Sequence, residues 1–351
     1  MMRWWQLLLF PFSILYNLIT RFRNHLYDIG HQPSFEFEAN VVSVGNLSVG
    51  GTGKTPMVAY LIDHFLKVDK RLATLSRGYG RKTKGFLIAN ENATAESIGD
   101  ESMMYYLRYH QKVMVAVGEV RAMAIPEILT HDPKTDIILL DDAFQHRTVV
   151  PSVSILLTTY SRPFFTDLLL PAGRLRESRQ GATRSDVVVV TKCPELMSHS
   201  DIASYRSALE PYLDHSSIFF SSINYGEPMG INTDQPLQDN ADVILVSAIA
   251  NPSSFEEYCE NRFDCHKSIR FKDHYRFALA DVLEINSAAE AGKAVILLTE
   301  KDATKWRPYL SSCSVPIYYL PISTRFLSNE EEFLKILDGS IKYYSRDYGD
   351  V

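Results

Sequence analysis

Short apolar runs recur along this chain, and most of them end in a loop that is rich in glycine or charge. The runs are Val41–Val44, Leu72–Ser76, Val113–Val117, Ile137–Leu140, Ser152–Thr158, Val187–Val190, Val243–Val246 and Ala294–Leu298. Runs of valine, isoleucine and leucine are typical of strands that are buried on both faces, as in parallel sheets. Residues 57–68 show helical spacing instead. The pattern therefore predicts an α/β protein built on parallel strands.

The runs fall into two groups, separated by a stretch at 225–240 that is rich in glycine, proline, asparagine and aspartate. Such a composition is typical of a linker, and 351 residues suffice for two domains. We expect two α/β/α domains, the larger at 31–224 and the smaller at 241–340. A short β linker at 225–240 would join them, and a tail would occupy 341–351.

The first 30 residues differ from the rest because apolar side chains nearly fill positions 4–19. The polar side chains fall three, four or seven positions apart and would form one narrow stripe on a helix; they are Arg3, Gln6, Ser13, Asn17, Thr20 and Asn24. The run is shorter than the roughly 20 residues of a membrane span and lacks the cleavage site of a signal peptide. Its aromatic residues, with Arg21 and Arg23, favour a membrane-facing amphipathic helix. The alternative is a helix packed on the protein's own core, and both interpretations can hold for different faces.

The segment Gly45–Pro56 follows the first apolar run and precedes the helical pattern, which is the context of a phosphate-binding loop. Glycines let backbone N–H groups close around phosphate oxygens, and a helix N-terminus adds free donors. We expect Lys54 to reach the β- and γ-phosphates and Thr55 to ligate Mg²⁺. The residues predicted to bind the nucleotide here are Gly50, Gly51, Thr52, Gly53, Lys54 and Thr55. Ser48 replaces the first glycine of the usual pattern, and a chance glycine-rich turn is the alternative.

Two acids, Asp141 and Asp142, end the run that starts at Ile137. A buried strand that delivers a carboxylate to its carboxyl end can hold Mg²⁺ or its water ligands. Together with the phosphate-binding loop, this strand predicts that the larger domain is a parallel sheet of the phosphate-loop NTPase type.

Arginines lie in several loops that follow predicted strands. Arg77 and Arg81 lie in a glycine-rich loop after the second run, Arg121 opens a helix after the third, and Arg176 lies in a later glycine and arginine loop. Loops at the carboxyl ends of parallel strands face the ligand, so these side chains are candidates to bind an anionic substrate group. The alternative for the loop of Arg77 and Arg81 is a solvated basic turn.

Two further positions have open interpretations. Glu177 is either an additional acid near the metal or the partner of Arg174 or Arg176 in an ion pair. Lys301 and Asp302 follow a predicted strand, where such a pair can recognise a purine. Their alternative role is to cap the helix that follows.

Composition excludes several classes of protein. The net charge of −6 gives no basic field for nucleic acid. The four cysteines form no C-x-x-C pair, so they predict reduced thiols in a cytosolic protein, without a disulfide framework or a zinc site.

An ordered set of segments resembles the motifs of the tetraacyldisaccharide 4′-kinases, the lipid A kinases. The segments are Val44–Pro56, Ser76–Arg81, Gly99–Glu101, Asp141–Arg147, Leu175–Glu177, Asp273–His274 and Thr299–Ala303. The family's Asp-His-His segment has Tyr275 in place of its second histidine, so a role is carried over to His274 alone. On this resemblance the loop around Ser48 is ordinary, because the family's loop is similar.

The resemblance implies a peripheral or monotopic enzyme at the cytoplasmic face of the bacterial inner membrane. It would use ATP and Mg²⁺ to phosphorylate the 4′-hydroxyl of a tetraacyldisaccharide 1-phosphate, which gives the bis-phosphorylated lipid A precursor. Its expected partners are this lipid and the membrane surface, with no nucleic acid and no obligatory protein partner.

The resemblance also implies roles for individual residues. Asp100 would be the base that accepts the hydroxyl proton, and His274 would orient it or share the proton. Mg²⁺ would be held by Thr55 and Asp141, with Asp142 or Glu101 in the outer shell. The sugar-phosphate head group would be held by Arg77, Arg81, Arg121 and Arg176.

Without the resemblance, the main alternative is a membrane-associated phosphate-loop GTPase or ATPase that acts as a switch on a protein partner. Thr191-Lys192-Cys193 and Lys301-Asp302 would then be the purine-reading elements. A second alternative is a membrane-tethered binding module in which the nucleotide is structural.

Overall fold

The computed structural model describes residues 4–342, and within them the chain divides into two compact units. The first unit comprises the residues up to Arg77, Lys112–Ile223 and the residues from Thr324 onward. The second comprises Gly78–Gln111 and Asn224–Ser323. The predicted domain boundaries at 31–224 and 241–340 stay predictions, and most of the predicted tail lies outside the described residues.

The secondary structure alternates between strands and helices through most of the described chain. The strands are β1 Asn40–Asn46, β2 Leu72–Ser76, β3 Leu87–Ile88, β4 Val113–Val117, β5 Ile137–Asp141, β6 Val153–Thr159, β7 Val187–Thr191, β8 Ser217–Tyr225, β9 Met229–Gly230, β10 Asp242–Ser247, β11 Asp264–Arg270, β12 Val295–Thr299, β13 Ile317–Leu320 and β14 Ile322–Phe326. The α-helices are α1 Trp4–Asp28, α2 Lys54–Lys67, α3 Ala95–Ile98, α4 Asp100–Tyr109, α5 Arg121–His131, α6 His199–Leu209, α7 Ser253–Glu260, α8 Leu279–Gly292, α9 Glu300–Trp306 and α10 Glu330–Gly339. The apolar runs of the sequence fall on strands, with at most one residue of a run outside its strand, which confirms that part of the prediction.

The sheet of the first unit has the strand order β14-β8-β7-β6-β1-β5-β2-β4. Each pair of adjacent strands from β8 to β4 in this order is parallel. The central strand β1 lies between β5 and β6, and its Val44 is paired with Asp141 of β5. This register brings the loop after β1 beside the acids after β5, because parallel strands end at the same edge.

The sheet of the second unit has the order β11-β10-β12-β13-β9, with only β9 antiparallel to its neighbour. Its apolar core includes Trp306 of α9, which is fully buried among residues of β10, β12 and α8. The chain is thus an α/β protein with two mixed, mostly parallel sheets and an N-terminal helix, as predicted at that level of detail.

Helix α1 presents its polar stripe to the protein and its apolar face outward. Ser13 and Thr20 are its buried residues, whereas Trp4, Leu8 and Phe12 expose 75%, 66% and 62% of their surface. The inward stripe is held by hydrogen bonds: Gln6 donates to the Ala172 carbonyl, Ser13 to Leu169, Tyr16 to Arg176 and Asn24 to the Glu177 carboxylate. Amphipathic helices normally bury their apolar side, so this helix is inverted with respect to the usual arrangement.

The inversion resolves the two interpretations of this segment in part. The helix packs on the protein, as one interpretation held, but it does so through its polar stripe, and the apolar face stays exposed, as the other held. Of the predicted stripe, Arg3 lies outside the described residues. Among residues 4–342 no helix combines the length and the apolar character that a membrane crossing requires.

Candidate active site

The loop after β1 has two glycines with positive φ angles at the start of a helix. Gly50 and Gly53 have φ angles of +114° and +84°, in a region that other residues rarely adopt, and Gly53 precedes the first residue of α2 without a side-chain cap. The amide of Asn46 donates to the Thr52 hydroxyl at 2.7 Å, and the Thr191 hydroxyl donates to the Thr52 carbonyl at 2.8 Å. The loop is therefore anchored on both sides while the N–H groups at the start of α2 remain available to an anion.

Lys54 points toward the acids that follow β5. Its ammonium lies 3.5 Å from Asp142, and Arg176 lies 2.9 and 3.0 Å from the two oxygens of the same carboxylate. Burial alone would raise the pKa of Asp142, but Lys54 and Arg176 outweigh burial and hold that pKa below its ordinary value. The structure thus brings together Lys54, Asp142 and Arg176 from three separate segments.

Asp141 and Arg121 are buried close to Asp142, whose charge acts on Arg121. Asp141 ends β5 with 3% exposure, and Arg121 is fully buried at the start of α5. The Arg121 guanidinium donates to the carbonyls of Gly118 and Asp141, at 2.5 and 3.5 Å. Burial lowers the pKa of Arg121 to about 10, in spite of the nearby charges of Asp141 and Asp142. Its side chain is held in one orientation by the ends of two strands.

The four arginines predicted to bind the head group are distributed over both units. Arg77 is exposed at the end of β2, and its charge acts on Arg121 in the same unit. Arg176 is engaged with Asp142. Arg81 belongs to the second unit, where its guanidinium donates to the Gly85 carbonyl at 2.6 Å.

Glu177 has a different partner from those suggested by its sequence neighbours. It is fully buried, and Arg184 donates to both of its oxygens at 2.9 and 3.0 Å. Asn24 of α1 and Gln145 also donate to this carboxylate, at 2.7 and 3.0 Å. The suggested ion pair with Arg174 or Arg176 is therefore wrong. The seven-residue spacing of Glu177 and Arg184 gave no local signal, because these residues meet through a loop and a 3₁₀ turn rather than along one α-helix.

His146 lies near the same cations. Burial and the charges of Arg121 and Arg77 lower the pKa of His146 to about 4, so the imidazole is neutral at pH 7. It can accept or donate a hydrogen bond there without adding charge.

A second set of polar residues is built entirely within the second unit. Asp100 is the first residue of α4, and its carboxylate lies 3.2 Å from Nδ1 of His274. Lys305 of α9 lies 3.7 Å from the same carboxylate. Burial would raise the pKa of Asp100, but the hydrogen bond from His274 and the charges of Lys305 and Lys301 hold it below its ordinary value. The sequence-predicted pair of Asp100 and His274 is thus in contact, although 174 positions separate its members.

Lys301 connects the pair to further acids. Its ammonium lies 3.3 Å from Nε2 of His274, 3.4 Å from Asp273 and 3.7 Å from Glu101. Burial would lower the pKa of Lys301, but the charges of Glu101 and Asp273 and of other nearby carboxylates together outweigh burial and raise that pKa. Glu101, predicted as an outer ligand of Mg²⁺, here faces an ammonium.

Asp302 is fully buried and its carboxylate is used within the unit. It accepts from the Ala248 N–H at 2.8 Å and from the Thr299 hydroxyl at 2.7 Å, and it pairs with Lys305 at 2.7 Å. These contacts favour the structural alternative for Asp302, whose role toward a purine stays a prediction. Lys305 was missed from the sequence. Its spacing of four from Lys301, which places both on one face of α9, was the available signal.

Comparisons with known proteins agree with one another. The profile of the family described as LpxK, tetraacyldisaccharide-1-P 4′-kinase, matches residues 5–342. A tetraacyldisaccharide 4′-kinase of Flavobacterium johnsoniae is 42% identical over 97% of both chains, and one of Bacteroides thetaiotaomicron is 40% identical over 92% of this chain and 90% of its own. The crystal structure of an LpxK from Aquifex aeolicus in complex with ATP is 29% identical, covers 96% of this chain and 99% of its own, and gives a TM-score of 0.74.

Proposed function

The chain belongs to the tetraacyldisaccharide-1-P 4′-kinase family, and we propose how its residues perform the reaction of a kinase. It is an ATP-binding kinase of lipid A biosynthesis that phosphorylates a tetraacyldisaccharide 1-phosphate. Phosphoryl transfer demands little covalent chemistry from a protein; it demands positioning, neutralisation of charge and removal of one proton. The two sets of residues described above match these demands, one for the phosphates and one for the proton.

The phosphate loop is the proposed holder of ATP, within a domain of the phosphate-loop NTPase type. The backbone from Gly50 to Thr55 would donate to the phosphates, and Lys54 would neutralise the β- and γ-phosphates. The contact of Lys54 with Asp142 supports this assignment, because the ammonium is already directed to the end of β5. In the complex, phosphate oxygens would take over part of the role that Asp142 has here.

The donors beside the loop fit Mg²⁺. Thr55 at the start of α2 and Asp141 at the end of β5 offer the oxygen ligands that this ion prefers, and Asp142 or Glu101 would bind its water ligands. When bound, Mg²⁺ neutralises developing charge on the phosphates. Asp142 is held ionised by Lys54 and Arg176, so it is available to an incoming cation without losing a proton.

The observation that carries the assignment of the base is the ionised carboxylate of Asp100 in contact with His274. A base must be unprotonated to accept the proton of the 4′-hydroxyl, and the surrounding cations keep Asp100 in that form. His274 would orient the carboxylate and share the proton, and Lys301 would in turn position the imidazole. Arg77, Arg81, Arg121 and Arg176 would hold the anionic head group of the lipid.

The test of this mechanism is the transfer of ³²P from γ-labelled ATP to the lipid in mixed micelles. We expect label in the lipid phase, lost in Lys54→Ala and in Asp100→Ala. A folded Asp100→Ala variant with normal turnover would overturn the assignment of the base. Release of phosphate to water at one rate, with or without lipid, would instead favour the hydrolytic switch.

The proposed location is the cytoplasmic face of the bacterial inner membrane, with α1 lying in the interface. The exposed apolar face of α1 supports this, because a surface of this kind is unfavourable in water and favourable among lipid head groups and acyl chains. The inward stripe of α1 also contacts the segment that carries Arg176 and Glu177. A helix that binds the membrane would therefore bring the head-group site near its acylated substrate.

Substitution separates membrane binding from catalysis better than truncation does, because removing α1 would also remove its hydrogen bonds to Leu169, Ala172 and Arg176. The double variant Leu8→Glu with Phe12→Glu changes only exposed side chains. We expect it to lose flotation with anionic vesicles while it retains ATP binding. Val68→Glu, at an exposed apolar position outside α1, is the matched control. Undiminished flotation of the double variant would show that another surface binds the membrane.

A further inference from the structure

The phosphate loop has a second lysine beside it. Lys192 follows β7 directly and adopts a φ of +56°, in the left-handed region that a lysine rarely occupies. Its ammonium lies close to the loop: a methyl group placed on Gly51 would be 3.8 Å from Nζ. The segment Thr191-Lys192-Cys193 therefore has a definite place in the first unit, which the mechanism proposed above does not use.

Both neighbours of Lys192 are fixed. The Thr191 hydroxyl donates to the Thr52 carbonyl of the loop at 2.8 Å and lies 3.2 Å from the Thr158 carbonyl. The backbone N–H of Cys193 donates to the Ser221 carbonyl at 3.0 Å. Because the flanking residues are anchored to the loop and to β8, the backbone direction at Lys192 is determined and its side chain crosses toward Gly51. Retaining a left-handed residue at such a point is a cost that functional sites often carry.

The charge of Lys192 is not compensated within the described chain. Across residues 4–342, its ammonium takes part in no hydrogen bond or ion pair, whereas Lys54 is paired with Asp142. Burial, together with the charge of Lys54, lowers the pKa of Lys192. Two ammonium groups that repel each other beside one set of free N–H donors are the electrostatic complement of a polyanion.

We propose that the Lys192 ammonium is a further ligand of the nucleotide phosphates, beside Gly51 of the loop. The proposal rests on the phosphate loop being the ATP site. It assigns Thr191-Lys192-Cys193 to the phosphates and not to the purine. The reason is that Nζ of Lys192 lies beside Gly51, whose backbone would line the phosphate site. It also lies close enough to Lys54 for the two charges to interact.

Arg174 provides a graded comparison. Its guanidinium would lie 3.8 Å from a methyl group on Gly50, so it also borders the loop, but it is exposed to solvent. A solvated cation contributes less than a half-buried one, because water already stabilises its charge and screens its interaction. Loss of Arg174 should therefore weaken nucleotide binding less than loss of Lys192.

The experiment measures dissociation constants of ATP by titration calorimetry, and of tripolyphosphate by displacement of a fluorescent ATP analogue. The variants are Lys192→Met, Lys192→Arg, Arg174→Met and, as a matched control at an exposed position, Lys134→Met. We expect Lys192→Met to weaken ATP and tripolyphosphate by the same factor, about tenfold or more, as for loss of a charge-assisted contact. Lys192→Arg should retain most of the affinity, and Lys134→Met should bind like the wild type.

Two outcomes overturn the proposal. One is unchanged affinity of Lys192→Met for ATP. The other is weakened ATP binding with unchanged tripolyphosphate binding, which would assign Lys192 to the purine or ribose. The melting temperature of each variant is measured as well, and Lys192→Met should not lower it, since the substitution removes an uncompensated charge. Lys54→Ala is the separate test of the ATP site itself: if it binds ATP normally, the proposed function fails at this loop whatever Lys192 does.

Discussion

Two carboxylates of this protein, Asp142 in the first unit and Asp100 in the second, are both kept ionised in spite of burial, but by different cations. Burial would raise the pKa of each, and in each case nearby cations reverse the effect. Asp142 is paired with Lys54, the first residue of α2, and with Arg176 of a loop, and both cations are proposed to contact substrate. Asp100 is paired with His274 and with lysines of α9, a helix that packs in the core of its own unit.

The cations around the two carboxylates differ in how easily another group could replace them. Lys54 would contact phosphate in the ATP complex, and Asp142 would then be free to help hold Mg²⁺. One partner of Asp100, Lys305, is buried in the second unit: it is 8% exposed and is bound to Asp302 at 2.7 Å. These surroundings suit the proposed roles, because an acid that binds a metal needs partners that can exchange, whereas a base must stay ionised and oriented.

The largest effect is expected when Lys54, the partner of Asp142, is replaced. Lys54→Met removes the charge that neutralises the phosphates and should lower turnover by about two to four orders of magnitude. The measurement is ³²P transfer to lipid at saturating ATP. Lys67→Met, at the exposed end of the same helix, is the control and should leave turnover unchanged. Comparable losses in both variants would mean that Lys54 has no special role.

The next largest effect is expected when Asp100, the partner of His274, is replaced. Asp100→Asn preserves shape but cannot accept the proton, so turnover should fall by about a hundredfold or more, with ATP affinity nearly unchanged. Turnover and nucleotide titration are measured on one preparation. Asp264→Asn, on the exposed strand β11 of the same unit, is the matched control. A parallel loss of ATP affinity would contradict the separation of the two sets of residues.

A smaller effect is expected on the pH dependence of kcat when Lys305, a partner of Asp100, is replaced. Lys305 lowers the pKa of Asp100, so Lys305→Met should raise it. Because the base works only when ionised, activity falls as the pH drops through that pKa, and the acid limb of the kcat profile should move to higher pH. At pH 7 the loss should stay within about tenfold, since a carboxyl with an ordinary pKa is ionised there. An unmoved acid limb with a large loss at pH 7 would indicate a merely structural role for Lys305.

The smallest effect is on the free energy of unfolding and comes from His146, which lies near Arg121. The pKa of His146 is lowered to about 4, so between about pH 4 and 6.5 the unfolded chain binds a proton there that the folded protein does not. Stability should therefore rise with pH across this window, by on the order of 1 to 3 kcal/mol from this residue. His146→Gln should flatten that rise in urea unfolding curves. An equally steep rise in the variant would assign the dependence to other groups.

Much of the fold was readable from local sequence patterns. Uninterrupted apolar runs gave the strands, because parallel strands are covered on both faces, and the glycines around Lys54 gave the loop, because its backbone needs positive φ angles at Gly50 and Gly53. The β1–β5 pairing that brings Asp141 beside this loop was not predicted and is seen only in the sheet order. The stripe of α1 was also visible, since a helical period of 3.6 residues is a local property.

Tertiary structure alone decided which groups meet and which faces are covered. Glu177 pairs with Arg184 rather than with its neighbours, Lys305 joins Asp100, and α1 turns its polar stripe inward. Spacing along the chain determines which side chains share a strand or a helix face. It does not determine partners that lie on different segments, because long-range packing selects among many charges of equal chemistry. The sequence by itself therefore specified the elements and the type of chemistry at their ends, and the folded chain specified the ion pairs that adjust that chemistry.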